Sequence, residues 1–453
     1  MSINYADPIV LLLKVSKYDS EVIYNLLPNR LFAKIKPYDV VMIKPNWVLE
    51  SHQYHHGEWD YVITHPTLIT AVIKKVSEML RGEGSIVIAD APTTEASFTS
   101  IINRYPVDQW EKITKQQGVS LTIVDLRDDE WETRNGIVVK RKTLPGDPKG
   151  KTEVNLLESN SEFYGHIKSK RGYYGADYDS FETNRAHDGH NNLYSVSRSA
   201  LEADVFINMP KLKTHKKAGI TSCLKNLVGI NTYKNYLPHH SGGGPKEKGD
   251  QYPVDSIKTQ VEGPLIGFIK HYFLKAQLAA YLMSPLTSFG KTIFGDTRKT
   301  IRSGNWYGND TLWRMVLDLN KILFYSNPDG TMKEDKYENR KQYIGIVDAV
   351  IAGEGDGPQA PEPVKMNYLL LGINPVAIDF VSARLMGFNP FKIPSIKNAF
   401  HIKNYPICNF SPDSIEVQIE NDFYPACEIP YEYIVPFKPH FGWTGHVELD
   451  DVK

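Results

Sequence analysis

The sequence predicts an α/β protein with mostly parallel sheet structure flanked by helices, organised as two α/β lobes with a helical insertion. Two observations carry this prediction. Short β-branched runs alternate with segments of helical periodicity in the first third of the chain, and the alternation returns between residues 343 and 386. Strands and helices that alternate across short loops are typical of a parallel sheet covered on both faces.

Each element is predicted from a local pattern. Residues 65–81 place apolar side chains at helical spacing, with Thr64 as a candidate N-cap and Pro66 in the first turn. The patterns predict, in chain order, a strand at 40–44, the helix at 65–81, a strand at 85–89, a helix before Gly118, a strand at 120–125, part of a hairpin at 134–142, a strand at 203–208, a glycine- and proline-rich loop at 238–253, a mainly helical region at 261–325, an α/β stretch at 343–372, a helix at 374–386 and one or two polar strands near the C-terminus.

A chain of 453 residues is longer than one ordinary core requires. We therefore divide it into four segments. They are an N-terminal α/β lobe at 1–130, a polar insertion with a strand and a site segment at 131–235, a glycine-rich loop and helical insertion at 236–330, and a C-terminal α/β segment and tail at 331–453.

Composition excludes several classes of function. The 52 Lys and Arg residues almost cancel the 53 Asp and Glu residues, whereas nucleic-acid binding and polybasic membrane attachment need an excess of cations. Three cysteines cannot supply the four thiolates of an ordinary iron–sulfur cluster, so no such cluster is expected. Because no targeting sequence and no transmembrane segment are recognised, we expect a cytoplasmic protein.

Charged and polar side chains follow four of the predicted strands. Lys44 and Asn46 follow the first strand, Asp90 follows the second, and residues 209–215 and 353–358 follow two later strands. Ligands of open parallel sheets bind at the carboxyl ends of the strands. The four strand exits therefore predict a binding site at one edge of the sheet.

The densest candidate segment is 214–226, with the sequence THKKAGITSCLKN, in which a turn of small residues separates His215 from Lys225. A helix N-terminus opened by that turn would direct backbone N–H groups at an anion, and burial could lower the pKa of Lys225 toward that of a base or nucleophile. A solvated basic loop before a helix is the alternative. The predicted substrate-binding residues are Lys44, Asn46, Lys211, Lys213, Thr214, Gly219, Thr221, Ser222, Asn226, His239 and His240.

Histidines and carboxylates suggest further chemistry. The 52–56 segment holds three histidines, which could bind a transition metal or be mobile surface residues. Glu354 and Asp356 lie in a GEGDGP loop that could hold a hard divalent cation, with His65 as a further ligand, or could form an ordinary turn. Asp379 lies inside an apolar helix, where an unpaired carboxylate is costly, and is therefore expected to have a partner.

The motifs KPN, THP, DAP, PKLKTH…LKN, EGDGP and NPVAID occur in this order between Lys44 and Met386. In this order they resemble the domain-of-unknown-function family three-six-two, whose members are uncharacterised conserved proteins. Some members carry appended ferredoxin-type clusters, for which this chain lacks the cysteines. The resemblance implies that 236–253 and 261–325 are subfamily insertions, and that the protein belongs among those encoded near genes of cell-envelope polysaccharides.

Residues 214–226 alone are similar in spacing to a segment of the nickel-pincer lactate racemases, in which a histidine, a small-residue turn and a lysine follow one another. In that family the lysine anchors the cofactor and the histidine works beside it. The resemblance implies these roles for His215 and Lys225. Cys223 departs from the turn pattern, and residues 90–92 stand where the first domain of that family carries a histidine motif.

Two functions remain open. The first is an enzyme for a polar, anionic small molecule, with His215 as acid and base, Lys225 and Asp90 in catalytic roles, and several lysines neutralising charge. Its reaction would be proton or hydride transfer beside a carboxylate, as in a racemase or isomerase, or chemistry on a sugar acid, with a divalent metal as a candidate cofactor. The second is a non-catalytic scaffold of an envelope-biosynthesis assembly that docks through 261–325, a region that could equally be core or a homo-oligomer contact.

Overall fold

The computed structural model describes residues 7–134, 137–177, 179–256, 300–337 and 341–450. Its strands are β1 (Ile9–Lys14), β2 (Val40–Pro45), β3 (Ser85–Asp90), β4 (Ser120–Asp125), β5 (Asp129–Arg134), β6 (Ile137–Thr143), β7 (Lys151–Asn155), β8 (Tyr173–Gly175), β9 (Leu193–Ser197), β10 (Val205–Met209), β11 (Lys211–His215), β12 (Gly219–Thr221), β13 (Pro238–Ser241), β14 (Gln342–Asp356), β15 (Ala360–Gly372), β16 (Glu416–Ile419) and β17 (Asp422–Pro425). Its α-helices are α1 (Ser20–Leu26), α2 (Asn29–Phe32), α3 (Pro66–Leu80), α4 (Phe98–Ile102), α5 (Val107–Gln116), α6 (Ser180–Ala186), α7 (Arg198–Glu202), α8 (Cys223–Asn226), α9 (Leu312–Tyr325), α10 (Pro375–Leu385) and α11 (Pro394–Ala399).

Eleven of the described strands form one mixed sheet, in the order β17-β16-β1-β15-β14-β10-β2-β3-β4, with β11 paired to both β14 and β12. The five strands from β14 to β4 are parallel, which confirms the predicted α/β class. Strands of the predicted N-terminal lobe, the site segment and the C-terminal segment lie side by side in this sheet. The division of the chain into four domains stays a prediction.

The two faces of the sheet carry separate apolar clusters. Helix α3 covers one face with Leu68, Ile69 and Val72, which are fully buried with the apolar side chains of β2 and β10. Helices α9 and α10 pack into the other cluster. The central strands are therefore buried on both sides, as their continuous β-branched runs predict.

The predicted helix at 65–81 is α3, but its N-cap differs from the prediction. His65 Nδ1 accepts a hydrogen bond from the backbone N–H of Thr67 at 3.2 Å. Thr64 instead donates its hydroxyl to the carbonyl oxygen of Met209 at 2.6 Å, which joins the start of α3 to the end of β10. The hairpin predicted around 134–142 is β5–β6, and the loop predicted at 238–253 contains the short strand β13.

The predicted helical region at 261–325 falls into three parts, and the prediction is wrong for residues 300–311, which form turns and bends and no helix. Residues 261–299 lie outside the described residues. Helix α9 buries every residue except Arg314, so residues 312–325 are core and cannot form the docking surface predicted for them. Among the described residues, no helix is long and apolar enough to cross a membrane.

Candidate active site

A cavity of about 270 Å³ lies where β2 and β3 end. Asn208 of β10 is opposite Lys44 of β2, and the chain continues from β10 through Pro210 into β11. The antiparallel β11–β12 hairpin therefore extends beyond this edge of the sheet, and the cavity lies between the hairpin and the edge. Eight of the predicted site residues line it: Lys44, Asn46, Asp90, His215, Thr221, Lys225, Asn226 and His239.

A buried ion pair lies at the sheet edge of the cavity. Lys44 Nζ is 2.7 Å from Asp90 Oδ1, and Asn226 Oδ1 accepts from the same ammonium group at 3.3 Å. The backbone N–H groups of Trp47 and Ala91 also donate to the Asp90 carboxylate, at 2.7 and 2.8 Å. Because three donors already engage this carboxylate, Asp90 holds Lys44 in place, and its catalytic role stays a prediction.

His215 offers a hydrogen-bond donor. Its Nδ1 accepts from the backbone N–H groups of Lys217 and Ala218, at 3.1 and 3.0 Å. Burial, and then the charges of Lys225 and Lys216, hold the pKa of His215 well below its usual range. The ring is therefore neutral at pH 7, and because Nδ1 is an acceptor, the proton is on Nε2. This tautomer can donate to an oxygen atom but cannot act as the predicted base.

His239 has the opposite tautomer. Its Nδ1 lies 2.8 Å from the carbonyl oxygen of Leu237, which can only accept, so Nδ1 carries the proton. Burial, followed by the charges of Lys217 and Lys225, holds the pKa of His239 well below its usual range. Its Nε2 is consequently an unprotonated acceptor. The cavity thus contains one imidazole that donates and one that accepts.

Lys225, which also lines the cavity, is half-buried. Burial, followed by the charges of Lys234 and Lys44, lowers the pKa of Lys225 to about 7. Within the described residues, the Lys225 amine has neither a hydrogen bond nor an ion pair. A substantial fraction of molecules therefore carries a neutral amine here at neutral pH, in a form that can take up a proton.

The helix that carries Lys225 is held by Asp379 of α10. Its carboxylate accepts hydrogen bonds from the backbone N–H groups of Cys223 and Leu224, at 2.7 and 3.0 Å, and so caps the N-terminus of α8. The expected partner of Asp379 is thereby confirmed. The carboxylate of the protein itself occupies these two amides at the start of α8, so they are not available to an external anion, and anion binding near residues 219–222 stays a prediction.

Asp379→Asn is expected to lower the free energy of unfolding by roughly 1–3 kcal/mol, because one of the two N–H groups loses its acceptor. The substitution should also change the pH dependence. Burial raises the pKa of Asp379 to about 7 in the folded protein, from a usual value of 3.8. The folded state therefore holds this proton where the unfolded state does not, and the contribution to stability falls as pH rises through this interval.

Urea unfolding at several pH values checks this prediction. The difference between wild type and Asp379→Asn should be smallest at neutral pH, where the wild-type carboxyl is partly ionised in its buried position, and larger toward acidic pH. Asp413→Asn, at an exposed position, serves as the control and should be neutral at every pH. A difference that grows toward neutral pH would contradict the assignment.

Lys211 and Lys213 were predicted to bind substrate, but both are absent from the lining of the cavity. Both side chains are fully buried in β11. Lys211 Nζ forms an ion pair of 2.6 Å with Asp348, and Lys213 Nζ donates to the carbonyl oxygen of Val62. Because each ammonium group is engaged by a partner outside the cavity, the structure does not place either lysine where it was predicted to bind substrate.

Four further predicted residues support the hairpin instead of lining the cavity. Thr214 donates its hydroxyl to the carbonyl oxygen of Gly355 at 3.0 Å. Gly219 has φ +82°, a conformation that favours glycine, and packs against Trp443. Ser222 and His240 are absent from the lining; Ser222 pairs with Ser382 at 3.2 Å, and His240 Nδ1 is 3.5 Å from Lys217 Nζ.

The predicted metal ligands do not come together. Glu354 Oε2 accepts from the backbone N–H of Lys438 at 2.8 Å, and Asp356 lies 3.6 Å from His440. His65 stacks on Tyr18, with ring centroids 3.5 Å apart. Across the described part of the chain, no group of three or more His, Cys, Asp or Glu side chains is placed to hold a metal ion, and this includes the histidines of 52–56.

Sequence reasoning missed several residues of the cavity. Lys234 lines it and donates to the carbonyl oxygen of Ala91 at 2.7 Å. Asp177 lines it as well, accepts from Thr94 Oγ1 at 2.6 Å, and has its pKa raised to about 7 by burial. Lys216 and Lys217, at the tip of the hairpin, also line the cavity. Five lysines therefore surround it: Lys44, Lys216, Lys217, Lys225 and Lys234. Lys234 and Asp177 lie in no motif, so the sequence carried no signal for them.

By its fold and site, the molecule is an α/β protein with a lysine-rich cavity at the carboxyl ends of parallel strands. Residues 41–147 and 169–384 match the family described as Domain of unknown function (DUF362), and the chain belongs to this family. No curated protein matches the sequence. Among solved structures, the chain is similar to the lactate racemase apoprotein from Thermoanaerobacterium thermosaccharolyticum, with a TM-score of 0.32 and 12% identity. The match covers 84% of this chain but 58% of that one, and a likeness this weak carries no functional argument.

Proposed function

We propose that the cavity is the active site of an enzyme that binds a small anion and transfers a proton at a carbon next to a carboxylate or carbonyl group. The Lys225 amine carries the proposal, because it lines the cavity, has its pKa lowered to about 7 and has no partner among the described residues. A group with a strongly shifted pKa in a cavity is a candidate for acid–base chemistry.

In the proposed reaction, Lys225 is the base and the two histidines bind oxygen atoms of the substrate. The neutral Lys225 amine takes the proton, so that the C–H bond breaks, an N–H bond forms and the electron pair moves onto the carbonyl oxygen. His215 donates its Nε2–H to that oxygen, and the cation of Lys216 offsets the developing charge. His239 accepts from a hydroxyl group of the substrate through Nε2. Return of the proton from Lys225 to the carbon completes an exchange, a racemisation or an isomerisation.

A sugar acid fits this proposal because it has both a carboxylate and hydroxyl groups. The setting in cell-envelope polysaccharide synthesis, the cytoplasmic location and a divalent metal cofactor remain predictions from the sequence. The scaffold alternative loses part of its basis, because α9 is core, which leaves residues 261–311 of the predicted docking segment.

Exchange with solvent tests the proposed reaction. In D2O, wild-type protein is expected to incorporate deuterium into at least one acid of a panel, at C2 of a 2-hydroxy or sugar acid or at C3 of a 2-oxo acid, followed by proton NMR. Lys225→Met should slow this exchange by at least about a hundredfold, since it removes the base. Lys74→Met, at a lysine outside the cavity that pairs with Glu21, should exchange at the wild-type rate.

Wild-type protein that exchanges no acid of the panel would contradict the proposal, as would Lys225→Met with an unchanged rate. In cells, loss of function on deletion of 261–299 with no loss in Lys225→Met would favour the scaffold function instead.

A further inference from the structure

Cations stand at two separate places around the cavity. Lys234 Nζ is bonded to the carbonyl oxygen of Ala91, directly after β3, so it lies at the edge of the sheet. Lys216 is at the tip of the β11–β12 hairpin, beyond that edge. The backbone N–H of Lys216 donates to Gly357 O at 3.0 Å, and its carbonyl oxygen accepts from Trp443 Nε1 at 2.9 Å. Lys234 is therefore held by its ammonium group and Lys216 by its backbone, and the half-buried Lys225 and two imidazoles also line the cavity.

The carboxylates that line the cavity compensate these cations poorly. Asp90 is engaged by Lys44, and the half-buried Asp177 accepts from Thr94. Both attract Lys234 without forming an ion pair with it, and burial raises the pKa of Asp177 to about 7. Among the described residues, neither Lys216 nor Lys234 forms an ion pair with a carboxylate. Asp356 attracts Lys216 from outside the cavity lining. Cations that are removed from water without a counter-charge are costly, so such a site favours an anionic ligand at each place.

Two polar atoms on the wall have no hydrogen-bond partner among the described residues. Asn46 Oδ1 and Thr221 Oγ1 are shielded from solvent and make no hydrogen bond within the described residues, and Thr221 is 4% exposed. Buried polar atoms are nearly always satisfied. A ligand with a hydroxyl group between its charged ends would supply partners for both atoms.

We infer that the substrate carries two anionic groups, one bound near Lys234 at the sheet edge and one near Lys216 at the hairpin tip, with the reacting carbon between them. The ligand class is a short dicarboxylate or a phosphorylated acid. The cavity of about 270 Å³ is close to the lower end of the roughly 300–1,000 Å³ of small-molecule sites, which suits a ligand of this size. This inference rests on the proposed function for the reacting carbon, but its charge requirement can be tested without turnover.

Succinate and butyrate provide a matched pair of probes, because they have the same chain length and differ in one terminal carboxylate. By isothermal titration calorimetry at pH 7 and low salt, wild-type protein is expected to bind succinate on the order of tenfold to a hundredfold more tightly than butyrate. Lys216→Met and Lys234→Met should each reduce succinate affinity to near that of butyrate. Lys74→Met makes the same change in net charge outside the cavity and should retain the preference.

Three results would overturn the inference: equal affinity of wild-type protein for the two acids, no binding of either acid, or a succinate preference that survives in both cavity variants. The wild-type comparison stands even if a variant does not fold. A succinate preference without any exchange in D2O would refute the proposed reaction and leave the two-anion ligand in place. Exchange of monocarboxylic acids without a succinate preference would refute the two-anion ligand and leave the proposed reaction in place.

Discussion

Lys225→Met is expected to raise the free energy of unfolding at pH 7, by roughly 1–3 kcal/mol, while it abolishes the proposed activity. The physical reason is that the folded protein keeps this amine half-buried, beside Lys234 and Lys44, without a partner in the described part of the chain. Methionine has a similar volume and no charge to desolvate. If replacing Lys225 stabilises the protein, the need for a stable fold does not explain why a lysine is present there. This result would therefore support a functional role.

The pH dependence of this effect has a definite sign. The pKa of Lys225 is lowered from 10.5 to about 7 in the folded protein. Between these values the unfolded state binds the proton and the folded state does not, so this lysine makes wild-type stability rise with pH across the interval. Lys225→Met lacks this contribution. The two proteins should therefore differ most at and below neutral pH and converge as the pH approaches 10.5.

Lys44→Met is the matched control, since Lys44 lies in the same cavity but is paired with Asp90 at 2.7 Å. Its removal leaves a buried carboxylate without its counter-charge and should cost about 3–5 kcal/mol. Urea unfolding across the pH range measures both variants. If Lys225→Met were destabilising by a similar amount, Lys225 would have to be a structural lysine and the proposed base would lose its support.

The parallel sheet could be predicted from the sequence because its strands are encoded locally. The runs at 40–44, 85–89 and 120–125 are β-branched and end at polar or glycine-containing turns, so each strand is defined by its own residues. Strand β11 was missed because its polar, lysine-rich sequence is typical of a loop. Its lysines are compatible with a buried strand only through partners that are distant in sequence.

The candidate site could be predicted only in part, for the same reason. His215 and Lys225 were found because their spacing is local, and the structure places both in one cavity. Which nitrogen of His215 carries the proton depends on two backbone groups, and this is visible only in the folded turn. The amides of α8 are occupied by Asp379, which is 156 residues from Cys223 along the chain. No spacing rule within 214–226 could have revealed this partner.

A loss of stability as large as that of Lys44→Met, about 3–5 kcal/mol, is expected for Lys211→Met. Lys211 and Asp348 are both fully buried, with Nζ and Oδ2 2.6 Å apart. The same carboxylate accepts from Tyr18 Oη at 2.7 Å and from the backbone N–H of His65 at 2.9 Å, so it joins β14 to the start of α3. Without Lys211, the carboxylate stays buried with only neutral donors. Guanidinium or urea unfolding at pH 7 measures the change.

Lys213→Met separates this charge effect from a general effect of replacing a buried lysine. Lys213 is two residues further along β11 and equally buried, but within the described residues it has only the carbonyl oxygen of Val62 as a partner. Its substitution removes an uncompensated cation at the cost of one hydrogen bond and should change stability by less than about 1 kcal/mol. The double variant Lys211→Met/Asp348→Asn removes both charges and should recover more than half of the loss in Lys211→Met. Equal losses in Lys211→Met and Lys213→Met, or no recovery in the double variant, would show that packing and not the ion pair determines the effect.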